Sequence, residues 1–350
     1  MALTTIEEYI EDLTKLENHP IGKTQFLNFD FDFMPLNSPI GRFLKSDSEH
    51  FIIMLGNEFN LRLYRGENKE NPNFVPTINR NNMRPGNIEH CFEWIKTEQF
   101  KEAFEKSILY KKLSELEIDG CSFNINLDAL AQHYGFKTSY LDLTQSRLVA
   151  QFFAYTDYDQ NKKEFFPITN FKEGSYKPII YEIKITDLYK LNPDAFKIIG
   201  FQPLARPIQQ IAFGIDTSMF NEDLKSHFTK IEMTPDPDGA KYIFEKFEGG
   251  KILFPKEDAE KFYDDIRNSS LNNKNFIPEH LLNKYCNKFD LNFDDYKTVL
   301  TAFCTITDKV KFEIQAKDIN EIANYLDNIT IPFIMNNIGH LGKLQLPPNF

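Results

Sequence analysis

The sequence predicts an α+β fold, with a largely antiparallel central sheet flanked by helices and a mostly helical C-terminal segment. Three observations predict it. Helical stripes and strand-like runs follow one another without the regular alternation that a parallel α/β sheet requires. The chain of 350 residues is 41% hydrophobic and carries 34 Phe, enough for a sizeable core. Its Gly and Pro residues stand singly, with no linker run, repeat or low-complexity tract.

In chain order, TTIEEYIEDLTKLENH has capping-box spacing at Thr4 and Glu7 and a helical stripe of Ile6, Tyr9, Ile10, Leu13 and Leu16. FIIMLGNEFNLRLYRGE reads as a helix or strand followed by a clearer strand over Leu61 to Arg65. Residues 88–118 read as largely helical, with Ile88, Phe92, Ile95, Phe104, Ile108 and Leu109 on the buried side. LAQHYGFKTSYLDLTQSRLVAQFFAY, Leu130 to Tyr155, reads as helix, turn and helix, with Gly135 as the left-handed end of the first and Thr144 as the N-cap of the second. Strand-like runs follow at Lys177 to Ile185, Arg206 to Ile215 and Ala240 to Phe247. From FPKEDAEKFYDDI onward the chain turns helical, apart from a strand at DKVKFEIQA. The expected organisation is a main domain over residues 1–285 and an accessory segment over 286–350 that lines no site.

A formal charge of −11 argues against broad binding along a phosphate backbone, so no strong nucleic-acid binding is expected. No stretch reaches the roughly 18 to 20 apolar residues that span a bilayer, and the start lacks a basic segment followed by an apolar run. A cytoplasmic protein without membrane attachment is the expectation. Cys91, Cys121, Cys286 and Cys304 have no ligand-like spacing, so neither a structural metal nor a disulfide framework is expected.

The polar residues crowded between the two helices of 130–155 exceed what a connection needs. His133 falls in the last helical turn, where an imidazole meets free carbonyls and the helix dipole. Asp142 stands between Leu141 and Leu143, so its carboxylate needs a specific partner. Arg65 is one such partner, and an Asx-type turn onto Thr144 is the other. In LRLYRGE, strand alternation puts Arg65 on the face of Leu61 and Leu63. A guanidinium there requires an internal carboxylate, a cluster of carbonyls or a ligand anion. Gly66 leaves room for a ligand or a neighbouring backbone. Arg65, Asp142 and the His133 turn are expected to converge on one pocket.

The YRGE motif at 64–67, VPTINR at 75–80 and LAQHYGFKTSYLDLTQSRLVAQFFA together resemble the FRG domain family. The family's Phe-Arg-Gly is Tyr64, Arg65 and Gly66 here, and its second block is matched at Gln132, His133, Tyr134, Gly135, Thr138, Leu141, Asp142, Thr144, Ala150, Phe153 and Ala154. Lys137, Ser139 and Leu143 depart from its usual Pro, Arg and Trp. A third block at 205–214 places Arg206, Gln210 and Phe213, and the likeness extends from about Ile6 into the 280s. The resemblance implies a pocket at the two motifs and a setting in bacterial defence or toxin activity.

A further likeness, by analogy, is to ADP-ribosyltransferases, which carry a strand with Arg-Gly or His-Gly, a Ser/Thr turn before an Ala- and Phe-rich segment, and a late Glu or Gln. It implies NAD as substrate and a protein acceptor or partner. Arg65 would clamp the pyrophosphate, and His133 and Gln210 would complete the catalytic set. Tyr64, Gly66, Gln132, Tyr134, Thr138, Asp142, Thr144 and Arg206 would contact the nucleotide. Gln210 cannot act as a base, and Glu182, Glu245 and Glu248 offer no clear late-strand carboxylate. The alternative is a module that binds a nucleotide or a protein without turnover. A nuclease lacks a carboxylate cluster, and no serine-hydrolase, P-loop or zinc-protease motif is present.

Overall fold

Thr5 and Glu8, rather than Thr4 and Glu7, cap the first helix: Glu8 N donates to Thr5 Oγ1 at 3.1 Å, and Thr5 N to Glu8 Oε2 at 2.8 Å. The shift of one residue arises because Thr4 and Thr5 form a short strand paired with Leu44 and Lys45. The computed structural model describes residues 3–18, 41–55, 62–115, 117–171, 176–202, 204–256, 263, 264, 266, 267 and 276–306. The expected strand at DKVKFEIQA lies outside them.

The first half of the chain comprises β1 (Thr4–Thr5), α1 (Ile6–Asn18), β2 (Gly41–Lys45), β3 (His50–Leu55), β4 (Arg62–Glu67), α2 (Ile88–Glu105), α3 (Ile108–Ser114), β5 (Glu117–Ile118), β6 (Cys121–Phe123) and α4 (Leu127–His133). The middle comprises β7 (Tyr140–Thr144), α5 (Arg147–Tyr155), β8 (Thr156–Asp159), β9 (Glu164–Pro167), β10 (Ile179–Lys184), α6 (Ile185–Leu191) and β11 (Phe196–Ile198). Then come α7 (Ala205–Gln209), β12 (Ala212–Asp216), β13 (Thr229–Glu232), α8 (Pro237–Lys246), β14 (Phe276–Ile277), α9 (Glu279–Lys288), α10 (Phe293–Thr301) and β15 (Thr305–Ile306). A 3-10 helix at Thr77–Asn82 bridges β4 and α2.

The architecture is α+β. A six-stranded sheet, β11-β12-β7-β4-β10-β13, is antiparallel at every pairing. A five-stranded sheet, β1-β2-β3-β6-β5, is mixed. The two sheets share one core, in which Leu44, Ile52 and Met54 meet Leu63, Leu141, Leu143, Tyr181 and Phe213. Helix α1 adds Tyr9, Ile10 and Leu13 to that core with Ile6 packed against it, so these members of its predicted stripe form the docking face, and the side chain of Leu16 lies outside those described. The far side of the five-stranded sheet packs Phe51 and Ile53 against α2 and α4. On the far side of the six-stranded sheet, Tyr64 and Ile180 pack on Ala150 of α5.

Three local expectations change. The turn between the helices of 130–155 contains a central strand, β7, whose Leu141 and Leu143 face the shared core. Thr144 therefore ends a strand, and Ser146 caps α5 by accepting from Val149 N at 3.3 Å. Arg206 to Ile215 is a helix, then a strand, divided by Ile211 at φ 45. Ala240 to Phe247 is helical, because Asp236 caps α8 by accepting from Asp238 N and Gly239 N, and Pro237 sits in its first turn. Gly135 takes the left-handed conformation expected of it, at φ 81.

The 285/286 boundary falls inside α9, which packs on α2. Leu281, Leu282, Tyr285 and Leu300 share a cluster with Cys91, Trp94 and Ile95. All four cysteines are free and buried. Within this interface His90 lies 3.0 Å from Tyr285 Oη through Nδ1 and meets Phe289 edge-on. Burial, aided by Lys288, pushes the imidazole down to about 4 from its ordinary 6.5. The folded state thus resists protonation while the unfolded chain accepts it, so stability is complete above 6.5 and lost as pH falls toward 4. The loss should approach about 3 kcal/mol, at ~1.36 kcal/mol per pH unit. Melting curves of the wild type and His90→Gln across that window check this. A variant whose pH dependence parallels the wild type would remove His90 as the cause.

Candidate functional site

The six-stranded sheet is split at its centre. Strand β10 pairs with β4 along all of β4, and β12 with β7 along all of β7, whereas β4 and β7 meet at one registered pair, Tyr64 and Thr144. Beyond that pair the strands part, between Arg65–Glu67 on one side and Tyr140–Leu143 on the other. Residues two apart in an antiparallel strand direct their backbone groups to the same neighbour, so the Asp142 carbonyl faces β4 as Thr144 does. Asp142 has no registered partner on β4, and Arg65 Nη1 donates to its carbonyl, at 3.2 Å.

Arg65 has a second internal partner. Its Nε donates to Glu67 Oε1 at 3.0 Å, and its guanidinium lies 5.7 Å from the centre of the Phe74 ring. Glu67 is buried and also accepts from Asn71 Nδ2 at 3.1 Å. An internal carboxylate thus meets the charge on the apolar face, two residues along the same strand. The expected pairing of Arg65 with the Asp142 carboxylate does not form. Leu141 and Leu143 occupy the shared core, so the side chain of Asp142 points to the opposite face from Leu63 and Arg65. Arg65 reaches its backbone only, so the expected convergence of the Arg65 and Asp142 side chains on one pocket does not hold: the two leave opposite faces of the sheet.

Gly66 is taken up by packing. A Cβ there would lie 1.8 Å from the Ala150 carbonyl oxygen, so the missing side chain lets α5 cross β4 in backbone contact.

On the α4 side of the split, Gln132 is a hub. Its Nε2 donates to Asp142 Oδ2 at 3.1 Å and to the Tyr140 carbonyl at 3.3 Å, and its Oε1 accepts from Thr138 Oγ1 and, at 3.4 Å, from Thr77 Oγ1. Thr138 Oγ1 also accepts from Tyr140 N, so this hydroxyl shapes the turn that delivers β7. Asp142 Oδ1 remains enclosed with no hydrogen-bond partner among the described residues.

His133, one residue on, is 8% exposed, and its Nε2 likewise has no partner among the described residues. Burial lowers its pKa; the Asp142 carboxylate and the neighbouring Gln210 side chain oppose that, and Arg206 adds to it. Burial thus favours the neutral ring. Around it, Arg206 Nη1 donates to the His133 carbonyl at 3.3 Å, and its guanidinium sits 4.6 Å from the Tyr134 ring centre. Tyr134 Oη accepts from Arg206 N. Thr144 Oγ1 donates to the Gln210 carbonyl at 2.6 Å, and Gln210 Nε2 to the Leu253 carbonyl at 3.1 Å.

The 3-10 helix Thr77–Asn82 stands at this split. Ile78 N donates to the Thr138 carbonyl at 3.3 Å, which fixes the segment to the turn. Its Arg80 is close enough to Arg65, Asp142 and Glu67 to feel their charges; burial, then Arg65, depress its pKa, and the two carboxylates oppose this. Among the described residues no cluster of three or more His, Cys, Asp or Glu is placed to hold a metal, and no helix is long and apolar enough to cross a membrane.

This split, with its paired motifs on β4 and β7, coincides with a recognised domain: residues 60–163 match the FRG domain family. The chain carries an FRG domain. No curated protein and no solved structure gives a significant match. The FRG match takes in β4, the Thr77–Asn82 segment, α4, β7 and α5, and leaves Arg206 and Gln210 outside it. Glu67, Thr77 and Arg80 of the FRG domain are absent from the candidates chosen by sequence. Glu67 follows Arg65 by two residues, the strand period, and that spacing was the available signal.

Proposed function

We propose that the FRG domain binds a nucleotide of the NAD class where β4 and β7 part, and transfers its ADP-ribosyl group to an acceptor. The observation that carries this reading is the pair of enclosed polar atoms without partners, Asp142 Oδ1 and His133 Nε2. A buried polar atom left unpaired costs roughly 1–3 kcal/mol, which a ligand bearing hydroxyl or amide groups would offset. Asp142 is an acceptor for a ribose hydroxyl, and its negative charge stabilises the positive charge that grows on the sugar as the glycosidic bond breaks. Nicotinamide then leaves with the bonding electron pair, the acceptor's oxygen or nitrogen joins the ribose C1′, and the acceptor proton is released. A neutral imidazole at His133 is in the state required to take that proton. Gln132 positions Asp142, and Thr144 and Leu253 position Gln210 beside the ring.

Binding without turnover is the second reading. The Arg65–Glu67 pair favours it, because the buried carboxylate nearest the motif arginine is neutralised inside the protein. Calorimetric titration with NAD and ADP-ribose, beside incubation with labelled NAD with and without a cell lysate, separates the readings. Saturable binding together with label on an acceptor is the expected result. Binding with neither label transfer nor nicotinamide release would leave the module, and wild-type protein that binds neither compound would end the nucleotide reading.

A further inference from the structure

We propose that Arg80 is the anion-binding arm of this site and takes a phosphate or pyrophosphate group of the ligand, a role the motif arginine cannot fill. The proposal deepens the nucleotide reading and rests on it for the identity of the ligand. Arg65 is committed: Glu67 holds its Nε, and the Asp142 carbonyl holds its Nη1. Withdrawing it would strand a buried carboxylate and reopen the central strands.

Arg80 is placed differently. Its residue keeps solvent access although its guanidinium is partly enclosed, and its one side-chain hydrogen bond among the described residues is long, from Nε to the Val75 carbonyl at 3.4 Å. No carboxylate among the described residues lies within ion-pair distance of its guanidinium, although Glu67 and Asp142 are near enough to act on its charge. The backbone that carries it is nonetheless fixed. Ile78 N is bonded to the Thr138 carbonyl, Thr77 Oγ1 to Gln132, and Met83 N closes the turn onto the Arg80 carbonyl. A pinned backbone with an uncommitted planar fork is the arrangement that grips a phosphate by two parallel hydrogen bonds.

The neighbouring groups give the ligand its second half. Gln132, which anchors the Thr77 end of the segment, also holds Asp142 Oδ2, leaving Oδ1 enclosed and unpartnered, and the unpartnered Nε2 of His133 follows on α4. A molecule with an anionic group for Arg80 and hydroxyls for Asp142 fits both, as a phosphorylated ribose does.

The test is calorimetric titration of the full chain and its Arg80→Gln, Arg80→Lys and Arg84→Gln variants with ADP-ribose and with inorganic pyrophosphate, plus a melting curve for each. Arg84 is exposed, outside the 3-10 helix, and serves as the charge control. The expected result is that Arg80→Gln weakens both ligands roughly 10- to 100-fold at a near-native melt. Arg80→Lys should fall between, because it keeps the charge and loses the fork, and Arg84→Gln should match the wild type. Equal ADP-ribose binding by wild type and Arg80→Gln overturns the proposal and leaves the nucleotide reading standing. Wild-type binding of pyrophosphate, lost in Arg80→Gln, with no binding of ADP-ribose or NAD, keeps the anion arm and ends the nucleotide reading. An Arg80→Gln protein that melts far below the wild type makes Arg80 structural, and a wild type that binds neither probe overturns both.

Discussion

Gly66→Ala should destabilise the protein by about 3 kcal/mol, the upper end of what overpacking costs, or more. The added methyl would stand 1.8 Å from the Ala150 carbonyl oxygen, 2.7 Å from the carbonyl carbon and 3.1 Å from the Ala150 Cα. All three are backbone atoms, so no rotamer change relieves the contact. Either α5 lifts from β4 or the sheet bends. Gly66 is outside the left-handed region, so the cost is steric and not torsional. Two measurements check this: the denaturation midpoint of Gly66→Ala, and that of Gly66→Ala with Ala150→Gly. The second substitution removes only a Cβ and should rescue nothing. A single variant within about 1 kcal/mol of the wild type, the size of a typical point substitution, would show that α5 does not need this contact.

The same glycine shows where reading the sequence stops. That something must come close to Gly66 follows from its place in a strand, but ligand and neighbouring backbone are equal readings until α5 is located. Local signals served well where one segment contains its own cause. The stripe of α1 and the left-handed Gly135 are of that kind. They served badly where two patterns overlap. AKYIFEKF alternates enough to suggest a strand, yet Ala240, Ile243 and Phe247 also lie three and four apart, and the Asp236 cap with Pro237 settles it as a helix. YLDLT alternates plainly, with Leu141 and Leu143 facing the shared core, but lies between two helices, whose stronger period hides a strand of five residues.

For the site, the sequence supplied residue types but not which of them meet. Gln132, Thr138 and Asp142 are joined by hydrogen bonds, and the crowded turn is explained as the scaffold of one carboxylate. That Arg65 meets a carbonyl of β7 and not the Asp142 carboxylate depends on the two strands parting after a single pair. Nothing in either strand alone encodes that. Arg80 ends the VPTINR block that carries part of the family resemblance, but an arginine in a Pro- and Asn-rich connection has no periodic face to single it out.

Arg65→Ala should therefore act first on stability. The Arg65 side chain is 15% exposed and that of Glu67 6%, so removing the guanidinium leaves a nearly enclosed carboxylate whose remaining hydrogen bond comes from Asn71. It also leaves the Asp142 carbonyl without the donor that bridges β4 and β7. Breaking one half of a buried pair costs roughly 3 to 5 kcal/mol, whereas replacing both halves by apolar groups of similar size is often close to neutral. The expected order of stability is wild type, then Arg65→Met with Glu67→Leu, then Arg65→Ala. Arg65→Lys should lie above Arg65→Ala, because it returns a positive charge to Glu67 without the second hydrogen bond to β7. Denaturant titration of the four proteins gives the order. If Arg65 instead served mainly to hold a ligand, Arg65→Ala would melt like the wild type and lose only ADP-ribose binding, and the double variant would gain nothing over it. A near-native melt of Arg65→Ala would return the anion to Arg65 and remove the reason for assigning it to Arg80.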